Sequence, residues 1–261
     1  MASESAPTGI RGISLLDVAP TAAKVLGINL TQSDGVAIDA VDCWGCRSVV
    51  LIIVDSLGYD LYRWLASHLT NIPALAKRGV VMKAETVSNH TTPAIATILS
   101  GLLPEHHSIF DKQGAKESSL LSIPEIASAS GLKAAVIMEK NGAEVYSGLI
   151  EIVRGVPDDL APEDFDRQIC RYNLEALSER PRLLVSYFIG IDKAAHMGLG
   201  PAEIRSAAIL IDRCVGEMVA ATDDETLFII CGDHPVHAGI LKRAEKPSSV
   251  VLILSKEMAR G

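Results

Sequence analysis

Six short apolar, β-branched runs constrain this chain more than any other feature: VVLIIVD (49–55), VVMKAE (80–85), AAVIME (134–139), LLVSYFIG (183–190), TLFIICGD (226–233) and VVLILS (250–255). They are continuous rather than alternating, so both faces of each strand must be covered, as in a parallel sheet layered by helices. Segments with helical spacing lie between them, at 60–78, 93–102, 122–131, 163–179 and 201–221. The class is α/β, a mostly parallel central sheet with helices on both faces. In such sheets the carboxyl ends of the strands are where ligands and chemistry collect. Each run stops at a charge well short of the roughly 20 residues a membrane span needs.

The chain has 261 residues, 48% hydrophobic, and no repeat or Pro/Gly-rich linker divides it, so one domain over 1–261 is expected. The charged stretch 144–182 reads as a surface helix or a small excursion over a site. A formal charge of −8 without a basic tract argues against nucleic acid or an anionic membrane as a general partner. MASESAPTG has no secretory pattern, and five scattered cysteines suit reduced thiols, so a cytoplasmic location is expected. Cys43 and Cys46 in CWGC have the spacing of half a zinc or redox motif, but no second pair completes it.

Three strands end in, or run directly into, an aspartate: Asp55, Asp192 and Asp233. A charge beside a buried strand is costly unless paired or bound to metal, and three invite a common cause. Histidines accompany two of them. Asp192 and His196 in DKAAHMGLGP are four apart, hence on one helical face, and Asp233, His234 and His237 fall within GDHPVHAG. In ETVSNHTTPAIATILSGLLPEHH, Thr91 and Thr92 precede Pro93, read as the first helical residue. A hydroxyl there faces the positive helix end, a place suited to an anion such as phosphate.

Together these segments resemble the alkaline phosphatase superfamily of phospho- and sulfohydrolases and phosphomutases. The resemblance implies a two-metal phosphoryl ester hydrolase, a phosphatase or phosphodiesterase with little or no cap, acting on a small phosphorylated substrate through a phospho-threonine intermediate. It implies that Asp55, Asp233, His234 and Thr91 bind one ion, and Asp192, His196 and His237 the other. Thr91 rather than Thr92 stands nine residues before the closing Ser100–Gly101 pair, where family nucleophiles stand. Ligands without sulfur suit Zn or Mn equally. Lys112 sits near the family's phosphoryl-oxygen ligand position and Lys140 near a lysine of some monoesterases; either could complement charge on the transferring group.

Departures from the pattern set further expectations. Only Pro235 and Val236 separate His234 from His237, so His90 or His107 stands as an alternative ligand to His237. The stretch 14–28, followed by Asp34 and Gly35, resembles a segment that comes last in relatives, implying circular permutation, neighbouring termini, and packing of 14–28 beside 250–255. A chain short for this superfamily leaves little to build a pocket, so either the substrate is small or a partner subunit of a homo-oligomer completes the site. A phosphomutase or phosphotransferase of the same superfamily and a non-catalytic, degenerate member are the alternatives.

Overall fold

The computed structural model describes residues 12–239, 242 and 248–256. The strands are β1 (Ser48–Val54), β2 (Val80–Glu85), β3 (Ala134–Glu139), β4 (Ile152–Val156), β5 (Leu183–Phe188), β6 (Thr226–Gly232) and β7 (Ser249–Lys256). The helices are α1 (Val18–Leu26), α2 (Tyr59–Leu65), α3 (Asn71–Arg78), α4 (Thr91–Ser100), α5 (Pro104–His107), α6 (Lys112–Glu117), α7 (Ile123–Ala129), α8 (Lys140–Glu144), α9 (Pro162–Ser178), α10 (Gly190–His196) and α11 (Pro201–Ala220).

The strands form one sheet in the order β2-β7-β6-β1-β5-β3-β4. Only β7 runs against its neighbours, pairing antiparallel with β6 and β2, so the sheet is mostly parallel. All seven residues of β6 are buried, as are Val49–Val54 of β1, which explains why these runs tolerate no alternating polar residue. Strand β1 lies between β5 and β6 with Val54 level with Phe188 and Gly232. The carboxyl ends of three parallel strands therefore meet at one point, and the residues just beyond them are neighbours.

Three expectations are corrected. The stretch 144–182 contributes a strand as well as a helix: β4, with a buried Ile152 and Val156 around a half-exposed centre, forms the sheet edge beside β3. The segment 60–78 is two helices, α2 and α3, rather than one. The cysteines are not all unpaired, because Cys170 on α9 and Cys214 on α11 form a disulfide, leaving Cys43, Cys46 and Cys231 free. The cytoplasmic expectation leaned on unpaired thiols and loses that support. No helix among the described residues is long and apolar enough to cross a membrane.

The segment 14–28 is also placed differently from expectation. Its buried face, including Val18, Ala22 and Leu26, packs on α4 and β1, which β6 separates from β7. Ser14 bridges to Glu85 at the end of β2. The apolar stripe of α1 needs an apolar helix to cover, and α4 supplies it. Backbone N–H groups of Asp34 and Gly35 donate to the carbonyl of Gly101, at 2.8 and 3.2 Å. Gly101, at φ 75°, ends α4 in the left-handed conformation that glycine adopts without strain. The early segment thus clamps the helix that begins with Thr91. Both chain termini, on which the expectation of neighbouring ends rests, lie outside the described residues.

Candidate active site

Asp55 follows β1, Asp233 follows β6, and Asp192 stands on α10, two residues into the helix that follows β5. Asp55 and Asp233 are buried, at 3% and 0% exposure, and so is His234 at 0%. His234 Nε2 lies 3.3 Å from Asp55 Oδ1, 3.4 Å from Asp233 Oδ2 and 3.1 Å from the Thr91 hydroxyl. Its Nδ1 lies 3.1 Å from the Pro235 carbonyl, a partner that can only accept. That contact favours the proton on Nδ1 and leaves the Nε2 lone pair aimed at the cluster, the arrangement metal-binding imidazoles use.

A second cluster adjoins the first and is more open. His196 Nε2 lies 3.1 Å from His237 Nε2 and 3.6 Å from Asp192 Oδ1. Asp192, His234 and His237 can each bring one ligand atom within 4.8 Å of the others, as can Asp55, Asp233 and His234. His234 therefore belongs to both groups. The compact Pro235–Val236 spacer does not keep His237 away: its ring centroid is 4.8 Å from that of His234 and 4.9 Å from that of His196. His107 is elsewhere, bonded to Thr97 at 3.2 Å between α4 and α5, and His90 is the exposed N-cap of α4.

Two other buried aspartates show what a purely structural carboxylate looks like here. Asp166 accepts from the N–H groups of Ile189 and Gly190, and Asp212 from those of Thr70, Asn71 and Ile72. Each caps a helix with both oxygens engaged. In contrast, Asp55 Oδ1, Asp233 Oδ2 and His237 Nδ1 are buried with no hydrogen-bond partner. Burial pushes the Asp55 and Asp233 carboxyls up, and for both the neighbouring carboxylate of Asp192 pushes the same way. Buried acceptors facing one another without donors are costly, and a divalent cation removes that cost. The donor set therefore fits the divalent metals that the resemblance in sequence implies.

Ser56, which no motif singles out, joins the two clusters. Its N–H donates to Asp233 Oδ1 at 3.0 Å and its hydroxyl to Asp192 Oδ1 at 2.7 Å. It sits at φ 64°, a left-handed conformation unusual for a non-glycine residue and held here by those two bonds. Tyr187 on β5, likewise singled out by no motif, supports the first cluster, because its hydroxyl donates to Asp55 Oδ2. Burial and the adjacent carboxylates hold that phenol well above its usual range, so it stays a donor.

Helix α4 starts at Thr91, so Pro93 is its third residue and not its first as expected; the N–H that proline lacks has no intrahelical partner there either. Thr91 and Thr92 both line a cavity of about 380 Å³. Only the Thr91 hydroxyl has a bond into the ligand clusters. Lys112 lines the cavity with Glu139 and Asp158 at 3.5 and 3.7 Å from its amine. Lys140, at the start of α8, is exposed and does not line it.

Fold and site together define a hydrolase-like α/β protein with candidate metal clusters at the ends of central strands. Two family models match it: Sulfatase over residues 47–149, and Type I phosphodiesterase / nucleotide pyrophosphatase over residues 130–239. Phosphonoacetate hydrolase from Sinorhizobium meliloti is similar in structure, with TM-score 0.60 at 15% identity, covering 72% of this chain and 56% of that one. A protein in the alkaline phosphatase superfamily from Vibrio parahaemolyticus matches with TM-score 0.55 at 13% identity, covering 81% of this chain and 60% of that one. Over 54 residues the chain is 41% identical to GPI ethanolamine phosphate transferase 3 of Schizosaccharomyces pombe, a match to 20% of this chain and 6% of that protein. The two family models, which between them span residues 47–239 with neither covering half of the chain, and these structural neighbours liken the chain to the alkaline phosphatase superfamily.

Proposed function

We propose that this protein is a metal-dependent phosphoryl ester hydrolase in which Thr91 is the nucleophile. The observation that carries the reading is the Thr91 hydroxyl placed 3.1 Å from His234 Nε2, beside buried carboxylate oxygens that lack donors. Asp55, Asp233 and His234 would hold one divalent ion with Thr91, and Asp192, His196 and His237 a second. Such ions, Zn or Mn, would acidify the hydroxyl and offset charge on the transferring group.

The chain's own groups divide the remaining work. Thr91 Oγ, its proton lost to solvent, attacks phosphorus while the bond from phosphorus to the ester oxygen breaks and the alcohol leaves. Water then attacks the phospho-threonine phosphorus, releasing phosphate and restoring the hydroxyl. The positive end of α4 faces the threonine and complements the anion. Tyr187 and Ser56 hold Asp55, Asp192 and Asp233 in place. Lys112, already between two carboxylates, belongs to the cavity wall more than to the reacting group.

The local likeness to an ethanolamine phosphate transferase favours a second reading, in which an alcohol rather than water accepts the phosphoryl group. Metal-loaded protein incubated with nitrophenyl phosphate and bis-nitrophenyl phosphate in isotopic water tests both. Solvent oxygen in the released phosphate is expected for hydrolysis. Release of nitrophenol with the phosphoryl group found on an added alcohol would indicate the transferase, and no turnover of either ester would contradict both.

A further inference from the structure

The cavity at Thr91 continues along α4. Thr91, Ile95, Ala96 and Leu99 lie on one face of that helix and all line it, and the nine residues from Thr91 to Leu99 rise by about 12 Å. Facing them are Ile109, Leu120, Met138, Val145 and Leu149 from the segments around α6, α7 and α8. We propose that the ester turned over at Thr91 carries an apolar, alkyl or arylalkyl organic group, and that this group seats along α4 in the cavity.

Charge and shape both favour that class over nucleotides. Every lysine lining the cavity has a carboxylate partner: Lys112 with Glu139 and Asp158, Lys116 with Glu144, and Lys193 with Asp158. None remains for a second phosphate. The lining aromatics, Tyr146 and Tyr187, are buried and tied through their hydroxyls to Ser122 and Asp55, so neither presents a free face for stacking a base. A cavity of about 380 Å³ is within the usual range for small organic ligands. Phe110, Leu121 and Leu149, three of the seven large apolar side chains exposed among the described residues, are in the lining or next to it in sequence.

The inference rests on the phosphoryl-transfer reading, so its test has two independent arms. Metal-loaded protein is assayed on methyl, butyl and octyl phosphate, and metal-free protein is titrated with octan-1-ol by ligand-observed NMR. Each methylene that enters the cavity is expected to raise kcat/KM up to about fourfold. Octan-1-ol is expected to bind saturably, and Ala96→Phe, which fills the cavity beside Ile95, to abolish that binding while circular dichroism verifies the fold. Turnover of methyl phosphate with a flat or falling chain-length profile would overturn the cavity assignment and leave the hydrolase reading standing. If no ester is turned over, the octanol arm decides: saturable binding lost in Ala96→Phe supports the apolar site, and absence of binding overturns it.

Discussion

The hydroxyl of Thr91 lies 3.1 Å from Nε2 of His234, although the two residues are 143 positions apart in the chain. One starts a helix and the other follows a central strand, so the contact depends on α4 being held against the sheet. Residues 14–35 hold it, through α1 packing and the bonds to Gly101. Thr91→Ala is expected to lower kcat at least about 10³-fold, as removal of a nucleophile does, without loss of fold. Thr91→Ser, which keeps the oxygen, is expected to retain measurable turnover; steady-state kinetics on a nitrophenyl ester checks both.

Ser56 links the two ligand clusters through its N–H and hydroxyl. Ser56→Ala keeps the backbone bond to Asp233 but removes the hydroxyl bond to Asp192. Residues that orient metal ligands typically affect affinity about 10- to 100-fold. That loss of metal affinity, measured by competition with a chromophoric chelator, is expected here. An unchanged affinity would show that Asp192 holds its position without Ser56.

The disulfide joins helices on the same side of the sheet across 44 residues. Closing a loop of that length restricts the unfolded chain by about 4 kcal/mol in the entropic account. Thiol titration of the denatured, unreduced protein is expected to find three free thiols of the five cysteines, and reduction to lower Tm. Five free thiols would contradict the pairing.

Asp166 caps α10, the helix that carries Asp192 and His196, and burial raises its carboxyl to about 7. The folded state then binds a proton that the unfolded chain, with a carboxyl near its ordinary value, has released. The stability this contributes is complete below the unfolded value and is lost as pH rises toward 7. In metal-free protein, Asp166→Asn is expected to make the fall in stability between about pH 4.5 and 6.5 shallower, by up to about 1.4 kcal/mol per pH unit. Urea unfolding across that range measures it, and identical slopes would contradict the assignment.

Strands β1 and β6 and their terminal aspartates were legible because a run buried on both faces admits no charge, so the first charge marks its end. Strand β2, expected to be covered on both faces, is instead an edge strand in which only Ala84 is buried and Lys83 lies within the run. Helix α4 was legible in place, though not in its first residue, since Pro93 fits the third position as well as the first. Other features depend on tertiary contacts that spacing does not encode. The left-handed conformation of Ser56 follows from its bonds to two distant carboxylates. Strand β4, with Arg154 and Gly155 at its centre, lacks the continuous apolar run and reads as surface. Cys170 and Cys214 meet only because α9 and α11 pack together. Lys140 follows β3 directly, yet α8 begins there and leaves it exposed.

The central claim is that Asp55, Asp233 and His234 hold one divalent ion beside Thr91 while Asp192, His196 and His237 hold another. Elemental analysis of protein loaded with Zn or Mn and then freed of unbound metal tests it most directly. The account predicts about two ions per chain, falling to about one in Asp233→Asn. A wild-type protein that retains no divalent metal, or a variant that retains as much as the wild type, would contradict it.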